Sequence, residues 1–440
     1  MASKRFPLLF AASLGQIQSG PAAFSFVIFL RGIPMNTSIL QKAASEESWR
    51  AFLEYKLTKQ HISQKEAKQL LSFIEQRRYL PLCSAWQQGL FPQTLPLKRV
   101  VNKEGTAKKR IVYTFSGDEG ILLKFIAFQL FSFDDYFCKS CYSFRRGYGV
   151  RDAVLRIRRD RRIWSFYCLK ADISNYFNSI DVELLLERLS FLQKREPALY
   201  SLFTRVLRES RVMDGSQIVR ENHGAMAGTP VSPFFANVYL RDTDAFFEGE
   251  NVPYFRYSDD ILLFAPTLEA LEKRQAQLYE RLKSLGLSIN PEKVHISAPG
   301  EPFDFLGFSF HNGEVDLSPN TIYKIKGKIR RKANALRRWQ RRKGLAPDKA
   351  AIGFIRAMNR KFYGQEQEED FTWSRWFFPN LTVDTGLRQV DAYLQQYLRF
   401  AATGRHARGN YRIRYQTLKD WGYKSLVHEY YKYKNHCPFL

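Results

Sequence analysis

Two apolar runs that end on carboxylates constrain this chain more than anything else in its sequence. IWSFYCLKADI (163–173) reads as a buried strand finishing at Asp172, and VPYFRYSDDILLFA (252–265) reads as strand, tight turn, strand with Asp259 and Asp260 at its tip. A carboxylate at the end of an apolar strand costs desolvation energy unless a cation stands beside it. Mg2+ suits such oxygens, because it takes hard oxygen ligands and shares its coordination sphere with substrate phosphates. Two such ions, about 3.5–4 Å apart, would activate an attacking hydroxyl and stabilise a departing pyrophosphate. Neighbouring residues on a strand point to opposite faces. Asp172 and Asp259 are therefore expected as the principal ligands, with Asp260 the weaker one. For any one aspartate taken alone, an acidic residue that merely ends a strand is the commoner case, so the argument turns on what surrounds them.

The surroundings alternate between helical and strand-like patterns. Thr37 to about Leu90 is helical, with apolar residues at Trp49, Phe52, Leu53 and Leu57, then Leu70, Leu71, Phe73 and Ile74. LPLKRVV and RIVYTF, joined by NKEGTAKK, read as a hairpin. A mixed helical region dense in arginine follows through Arg162, and residues 182 to 210 are helical again. GAMAGTPVSPFFANVYL (224–240) starts as a Gly/Pro loop and becomes a helix. LEALEKRQAQLYERLKSLG (268–286) is an amphipathic helix that Gly286 should end. FDFLGFSF (303–310) gives a further short strand, and the remainder is helical and basic. The fold class expected is α+β rather than a doubly wound sheet.

Composition narrows the partners. Lys+Arg 68 against Asp+Glu 43 leaves +25, a polyanion footprint more than a solubilising surface. The five cysteines are few, odd in number and without a framework of spacings, which points to a reducing, cytoplasmic setting. Cys138 and Cys141 form a CxxC with no second pair nearby to complete a zinc site. Residues 1–34 place Lys4 and Arg5 ahead of two apolar patches, the order of a signal peptide. Gln16, Gln18, Ser19 and Arg31 interrupt any run of membrane-spanning length, so no membrane partner is expected. Folding proper is expected to begin near Met35, with 1–34 an extension.

The order of motifs resembles that of reverse transcriptases. YSDD (257–260) is similar to their Tyr-x-Asp-Asp signature, DISNYFNSID (172–181) to their first palm motif, and GTPVSPFFANVYL (228–240) to the helix-forming motif between them. GLSINPEKVHI (286–296) and FLGFSF (305–310) are similar to the lysine-bearing motif and the primer grip. KRVVNKEGTAKKRIVYTF resembles the fingers hairpin, and YSFRRGYGVRDAV (142–154) a segment of intron-encoded enzymes. The resemblance covers roughly residues 95 to 310 and implies a right-hand polymerase. Its parts would be an N-terminal helical region (35–92), fingers (93–163), palm (164–310, with a fingers-type helical insertion at about 182–222), and a thumb with a C-terminal helical RNA-binding region (311–440).

It also implies roles. Asp172, Asp259 and Asp260, with Ile173 beside them, would hold two Mg2+ ions, for which Mn2+ can substitute. Lys293 would neutralise or protonate pyrophosphate. Arg110, with Lys98 a weaker candidate, would grip the triphosphate. Phe177 would exclude a ribose 2′-OH. Ile173 and Gly228 would lie against the nucleotide and nascent base pair, and Phe305, Leu306, Gly307 and Phe308 against the primer. One departure stands out: where relatives commonly carry Gly-x-Pro-Gln-Gly, this chain reads Gly224-Ala225-Met226-Ala227-Gly228. The amide that would touch template or base pair is absent, which bears on template choice, fidelity or priming.

Beyond residue 310, eleven Lys/Arg lie between Lys324 and Lys343. Arg330, Arg331, Arg337, Arg338, Arg341 and Arg342 are the candidates for nucleic-acid contact, with Trp339 interleaved. The aromatics of 371–440 could form an RNA-binding surface or a helical core. The overall build resembles the compact bacterial reverse transcriptases of defence-associated groups, with partners that would be a cognate noncoding RNA template, a DNA product strand and dNTPs. A group II intron maturase-like protein, a retron enzyme and a non-catalytic RNA-binding scaffold stay open beside that reading, as does the oligomeric state.

Overall fold

The computed structural model describes residues 37–60, 62–102, 109–364 and 372–436. Residues 1–34, expected as an extension, the tip of the 102–109 turn and Cys437 lie outside the described residues.

Four helices open the described chain: α1 (Ile39–Ala43), α2 (Glu46–Lys59), α3 (Gln64–Glu75) and α4 (Tyr79–Gln87). Ser38, Ser45 and Ser63 each accept a backbone N–H three residues on, satisfying a donor that the first helical turn leaves orphaned. Trp49 is fully buried, stacks on Phe125 at 4.2 Å between ring centroids and donates its indole N–H to the Ala43 carbonyl. Phe125 belongs to α5 (Gly117–Gln129), so the N-terminal helices are fastened to the chain beyond the first hairpin.

Strands β1 (Leu97–Asn102) and β2 (Lys109–Thr114) pair antiparallel, Leu97 opposite Thr114, as the hairpin pattern predicts. After α6 (Val150–Arg159) comes β3 (Tyr167–Asp172). Four helices follow: α7 (Tyr176–Ser179), α8 (Val182–Arg188), α9 (Phe191–Arg195) and α10 (Pro197–Arg208). The expected helical insertion then differs from expectation, because residues 211–220 form a hairpin of β4 (Arg211–Asp214) and β5 (Gln217–Arg220). Its polar strands carry little apolar alternation. They become strands because β4 adds in parallel to β1, giving a sheet ordered β2-β1-β4-β5.

Helix α11 (Ser232–Gly249) leads into β6 (Tyr254–Tyr257) and β7 (Asp260–Ala265). Helix α12 (Leu268–Ser284) ends as expected: Gly286 takes φ 67 and the Leu287 N–H returns to the Leu282 carbonyl at 2.8 Å. With β8 (His295–Ser297) the central sheet is ordered β6-β7-β3-β8. This sheet separates two cores. Leu169, Ala171, Ile261 and Leu263 face the first, with the helices before and after it; Cys168, Leu262 and Phe264 face the second. The alternation that buries both faces explains why these strands read as continuous apolar runs.

FDFLGFSF is two strands rather than one: β9 (Phe303–Phe305) and β10 (Phe308–His311), reversed at Leu306 (φ 53) and Gly307 (φ 89) and continued by β11 (Glu314–Leu317). A leucine in left-handed backbone is uncommon. Here the reversal is fixed from outside, because the Ser318 N–H and the Thr321 hydroxyl both donate to the Gly307 carbonyl at 3.0 and 2.8 Å.

The rest is helical: α13 (Pro319–Arg342), α14 (Pro347–Tyr363), α15 (Trp373–Phe377), α16 (Thr385–Thr403), α17 (Tyr415–Asp420) and α18 (Leu426–His436). Ile325, Ile329, Phe354, Leu394 and Leu398 knit α13, α14 and α16 into the second core. The two options for the C-terminal aromatics divide between residues. Trp373, Trp376, Tyr393, Tyr397 and Tyr430 belong to or pack on that core, whereas Tyr411, Tyr415 and Tyr431 are exposed. Among the described residues no helix is long and apolar enough to cross a membrane.

Candidate active site

Asp172 is the last residue of β3, and the ladder sets it directly opposite Asp260, the first residue of β7. Directly opposed residues of an antiparallel pair share a face. Asp260 is therefore Asp172's cross-strand neighbour, and Asp259 stands in the turn rather than on a strand, so strand alternation does not rank the two. Tyr257 pairs with Asp260, leaving Ser258 and Asp259 as the two-residue turn, with Ser258 at φ 60. The Asp259 carbonyl accepts the Ile173 N–H at 3.0 Å, which pins the turn across the end of β3. Ile173 itself is buried, so any contact it makes with a ligand passes through main-chain atoms.

The electrostatics of the three carboxylates follow from this crowding. Burial, then the neighbouring Asp172 charge, holds the Asp259 carboxyl above its usual range. Burial pushes Asp260 up to about 6, opposed by Lys170 and reinforced by Asp259 and Asp172. Lys293 reaches the site from the short turn Pro291–Lys293, whose start is held by the Asn290 N–H donating to the Asp172 carbonyl at 2.9 Å. Its ammonium lies 2.5 Å from Asp172 Oδ2.

Among the described residues, no three His, Cys, Asp or Glu side chains converge into a ready-made ion cage. Mg2+ commonly takes one or two carboxylates and completes its shell with water and phosphate. Hard oxygen donors whose own charges repel one another, next to a mobile ammonium on Asp172, fit that ion.

The turn is carried by a buried polar network that the sequence motifs do not reveal. Arg256 is fully buried and makes two bonds to Asp244 of α11, Nε to Oδ1 at 2.7 Å and Nη2 to Oδ2 at 2.5 Å. Its Nη1 donates to the Ser258 carbonyl at 3.2 Å, while the Ser258 N–H donates to the Ser143 hydroxyl at 2.9 Å. Asn237 donates to the Ser143 carbonyl, and the main chain of Arg256 bonds Ser140 and Tyr142. A lone arginine inside an otherwise apolar strand, VPYFRY, was the available signal.

The segment 224–228 is clamped at both ends. Gly224 (φ 54) is so close to the next turn that a Cβ there would meet the Phe177 carbonyl oxygen at 2.4 Å, and the Ala225 N–H donates to that oxygen. Gly228 (φ 101) lies against β2, where a Cβ would sit 2.9 Å from Val112 Cβ, and the Ala227 carbonyl accepts the Tyr113 N–H. Gly228 is itself exposed, so its backbone stays open to a base pair on the side away from β2. Met226 has φ 51, a conformation closed to proline, so the departure from Gly-x-Pro-Gln-Gly is built into the backbone. Ala225, Met226 and Ala227 are all buried.

Phe177 is half-buried, edge-on to Phe144, with the Arg110 guanidinium 5.9 Å from its ring. Arg110 is exposed and its charge also reaches Asp259. Lys98 is committed elsewhere, at 2.6 Å from Glu221 and 3.3 Å from Asp214, stapling β1 to the β4–β5 hairpin. Phe305 and Phe308 are fully buried, so at the expected grip only the Leu306–Gly307 turn can face a strand. On α13, Arg330, Arg331, Arg338, Arg341 and Arg342 are exposed. Arg337 instead packs on α16, donating to the Ala401 carbonyl, and burial lowers its pKa.

Residues 101–310 match the family model described as reverse transcriptase (RNA-dependent DNA polymerase). A stretch of 59 residues, 13% of this chain, is 44% identical to 3% of the Gag-Pro-Pol polyprotein of squirrel monkey retrovirus. Another of 106 residues, 23% of this chain, is 29% identical to 33% of the retron Ec86 reverse transcriptase of Escherichia coli. Each aligned stretch thus spans a third or less of the relative. Among solved structures, apo telomerase of Candida tropicalis, truncated from its C-terminal domain, aligns with TM-score 0.41 and 13% identity over 55% of this chain and 60% of that one.

Two outcomes test this geometry. Arg256→Leu leaves Asp244 buried without its partner and should lower unfolding free energy by about 3–5 kcal/mol in urea titration; a loss under about 1 kcal/mol would remove the network from its supporting role. Because Asp260 binds its proton more tightly folded (about 6) than unfolded (about 3.9), its ionisation lowers stability as pH rises through that window. In metal-free buffer Asp260→Asn should therefore raise Tm at pH 8 and leave it unchanged near pH 3; the opposite pattern would contradict the burial argument.

Proposed function

We propose that this chain is an RNA-directed DNA polymerase that copies a structured RNA into DNA by two-metal nucleotidyl transfer. The observation that carries the reading is the meeting of Asp172, Asp260 and the Asp259 turn at one end of the central sheet, with Lys293 on Asp172. The family match over 101–310 supports it. Bound Mg2+ would lower the pKa of a primer 3′-hydroxyl and neutralise charge on the triphosphate.

The chain's own groups do the rest. Arg110, at the exposed end of β2 and within cation–π range of Phe177, is placed to hold phosphate oxygens over the gate ring. Lys293 pairs with Asp172 here, and with that carboxylate engaged by an ion its ammonium would be available to the pyrophosphate. Phe177 presents its ring where a ribose 2′-hydroxyl would stand. The clamped 224–228 loop keeps its three apolar side chains buried and offers the exposed backbone of Gly228 rather than an amide side chain. The Leu306–Gly307 turn meets the primer through main chain, and the exposed arginines of α13 meet duplex phosphates. RNA template, DNA product strand and dNTPs are the partners. Within that reading the template is a dedicated noncoding RNA and the setting antiphage defence in the cytoplasm, supported by the resemblance in build to the compact defence-associated enzymes.

Asp259→Ala should reduce primer extension in Mg2+ by about three powers of ten or more, equivalent to about 4 kcal/mol, with RNA affinity within threefold of the unaltered chain. Retained DNA synthesis would leave an RNA-binding scaffold as the better description. Sequencing the RNA that copurifies, together with newly made DNA, tests the narrower reading; recovery of intron RNA would move the chain to splicing assistance. Phe177→Ala should raise ribonucleotide relative to deoxyribonucleotide incorporation about tenfold or more. An unchanged ratio would place sugar selection elsewhere.

A further inference from the structure

We infer that the C-terminal helical region holds an unpaired base of an RNA strand in the cavity walled by Tyr411 and Tyr415, with the strand's phosphates on the arginine-rich loop between α16 and α17. The inference rests on RNA being the partner in the proposed function, and adds a site far along the chain from the carboxylates.

The loop reads GRHARGNYRIR (404–414), and Arg405, Arg408, Arg412 and Arg414 are all exposed. Among the described residues none of the four forms an ion pair, so their charge is directed outward. The loop is nonetheless built. Asn410 is buried and donates to the Arg405 carbonyl at 2.6 Å, the Thr403 hydroxyl donates to the same oxygen, and His406 stacks on Phe400 at 4.5 Å. Arg399, almost fully buried in α16, donates from Nε to the Ile413 carbonyl at 2.9 Å. A loop whose backbone is already bonded in place loses less freedom when its arginines meet phosphate than a loose one does.

The cavity beside the loop is an open cleft of about 470 Å³ between α16 and the start of α17. That is the size of a small-molecule cleft, roughly 300–1,000 Å³. Tyr411 is 65% exposed and Tyr415 40% exposed, so neither ring is spent on the core. The Arg399 guanidinium lies 5.3 Å from the Tyr411 ring centroid, and Gln395 and Gln396 line the same wall with amides. Exposed aromatic faces, a buried guanidinium and amide edges suit a flat heteroaromatic ring with hydrogen-bonding edges, which is what an unpaired nucleobase offers. A surface made only for duplex backbone would need the cations and not the rings.

The strip also continues onto α13. Arg337 reaches Gly404, where a Cβ would lie 2.0 Å from its Nη2. That contact sets the last turn of α13, with exposed Arg338, Arg341 and Arg342, next to the beginning of the loop. Two charge clusters separated by some sixty residues in sequence become one cationic surface leading to the aromatic cavity.

The test uses the full chain, a fluorescent RNA hairpin with a single-stranded loop, and the blunt RNA duplex of its stem. Tyr411→Ala/Tyr415→Ala should weaken hairpin binding about tenfold or more, leaving duplex binding within twofold. Tyr411→Phe should bind as the unaltered chain does. Arg405→Gln/Arg408→Gln/Arg412→Gln/Arg414→Gln should weaken both RNAs and flatten the dependence of log Kd on log salt. Equal hairpin affinity of the double tyrosine variant, an equal loss on hairpin and duplex, or no preference of the unaltered chain for the hairpin would each overturn the inference. Extension of a pre-annealed oligo(dT) primer on poly(rA) separates the two claims. Its absence in the unaltered chain would sink the polymerase reading while a tyrosine-dependent hairpin preference still stood.

Discussion

The Arg256–Asp244 pair is the contact on which the placement of the candidate site depends. Both residues lie out of reach of water, Arg256 at 0% and Asp244 at 1% exposure. Taking two charges into the interior is expensive, and mutual attraction alone seldom repays it. Here the guanidinium also bonds the Ser258 carbonyl, and the Tyr254 hydroxyl donates to Asp244 Oδ1 at 3.0 Å. Strand β6, helix α11, the 140–143 segment and the acidic turn therefore share one set of bonds. A greasy side chain at position 256 would fill the volume, but it could not tell the turn where to reverse.

The central sheet spreads that placement through the molecule. Because its two faces belong to different cores, the carboxylate end of β3 is set by packing from both sides. Helices α11 and α12 press on one face, and β9, β10 and α13 lie on the other. The acidic end is left as the place where the apolar sandwich stops. Charge of opposite sign is distributed around it, with Lys293 at contact and Lys170 and Arg110 within electrostatic reach. The remaining excess of the +25 lies mainly on surfaces such as α13 and the 404–414 loop.

Features with a local physical signature were legible in the sequence. Strands β3 and β7 could be read because burial on both faces makes them uninterruptedly apolar, and the end of α12 because Gly286 must adopt a positive φ. The three aspartates stood out because a carboxylate after such a strand needs a cation. What escaped depended on partners distant in the chain. Residues 211–220 extend only because β1 offers an edge, and Leu306 reverses because α13 caps the carbonyl after it. Lys98 and Arg337 looked like free cations, and each is occupied by a neighbour from another element. Strand alternation does not bear on Asp259, which belongs to the turn.

The doubly clamped 224–228 loop limits how this chain can diversify. Gly224 is wedged against the Phe177–Asn178 main chain, and Gly228 against Val112 Cβ and the Tyr113 main chain, neither of which can swing away as the end of a long side chain can. Variation is confined to the three buried apolar positions between them, Ala225, Met226 and Ala227, where little can change without upsetting both neighbours. Any new behaviour at this site would have to come from the surrounding elements, because the loop itself has no room to move.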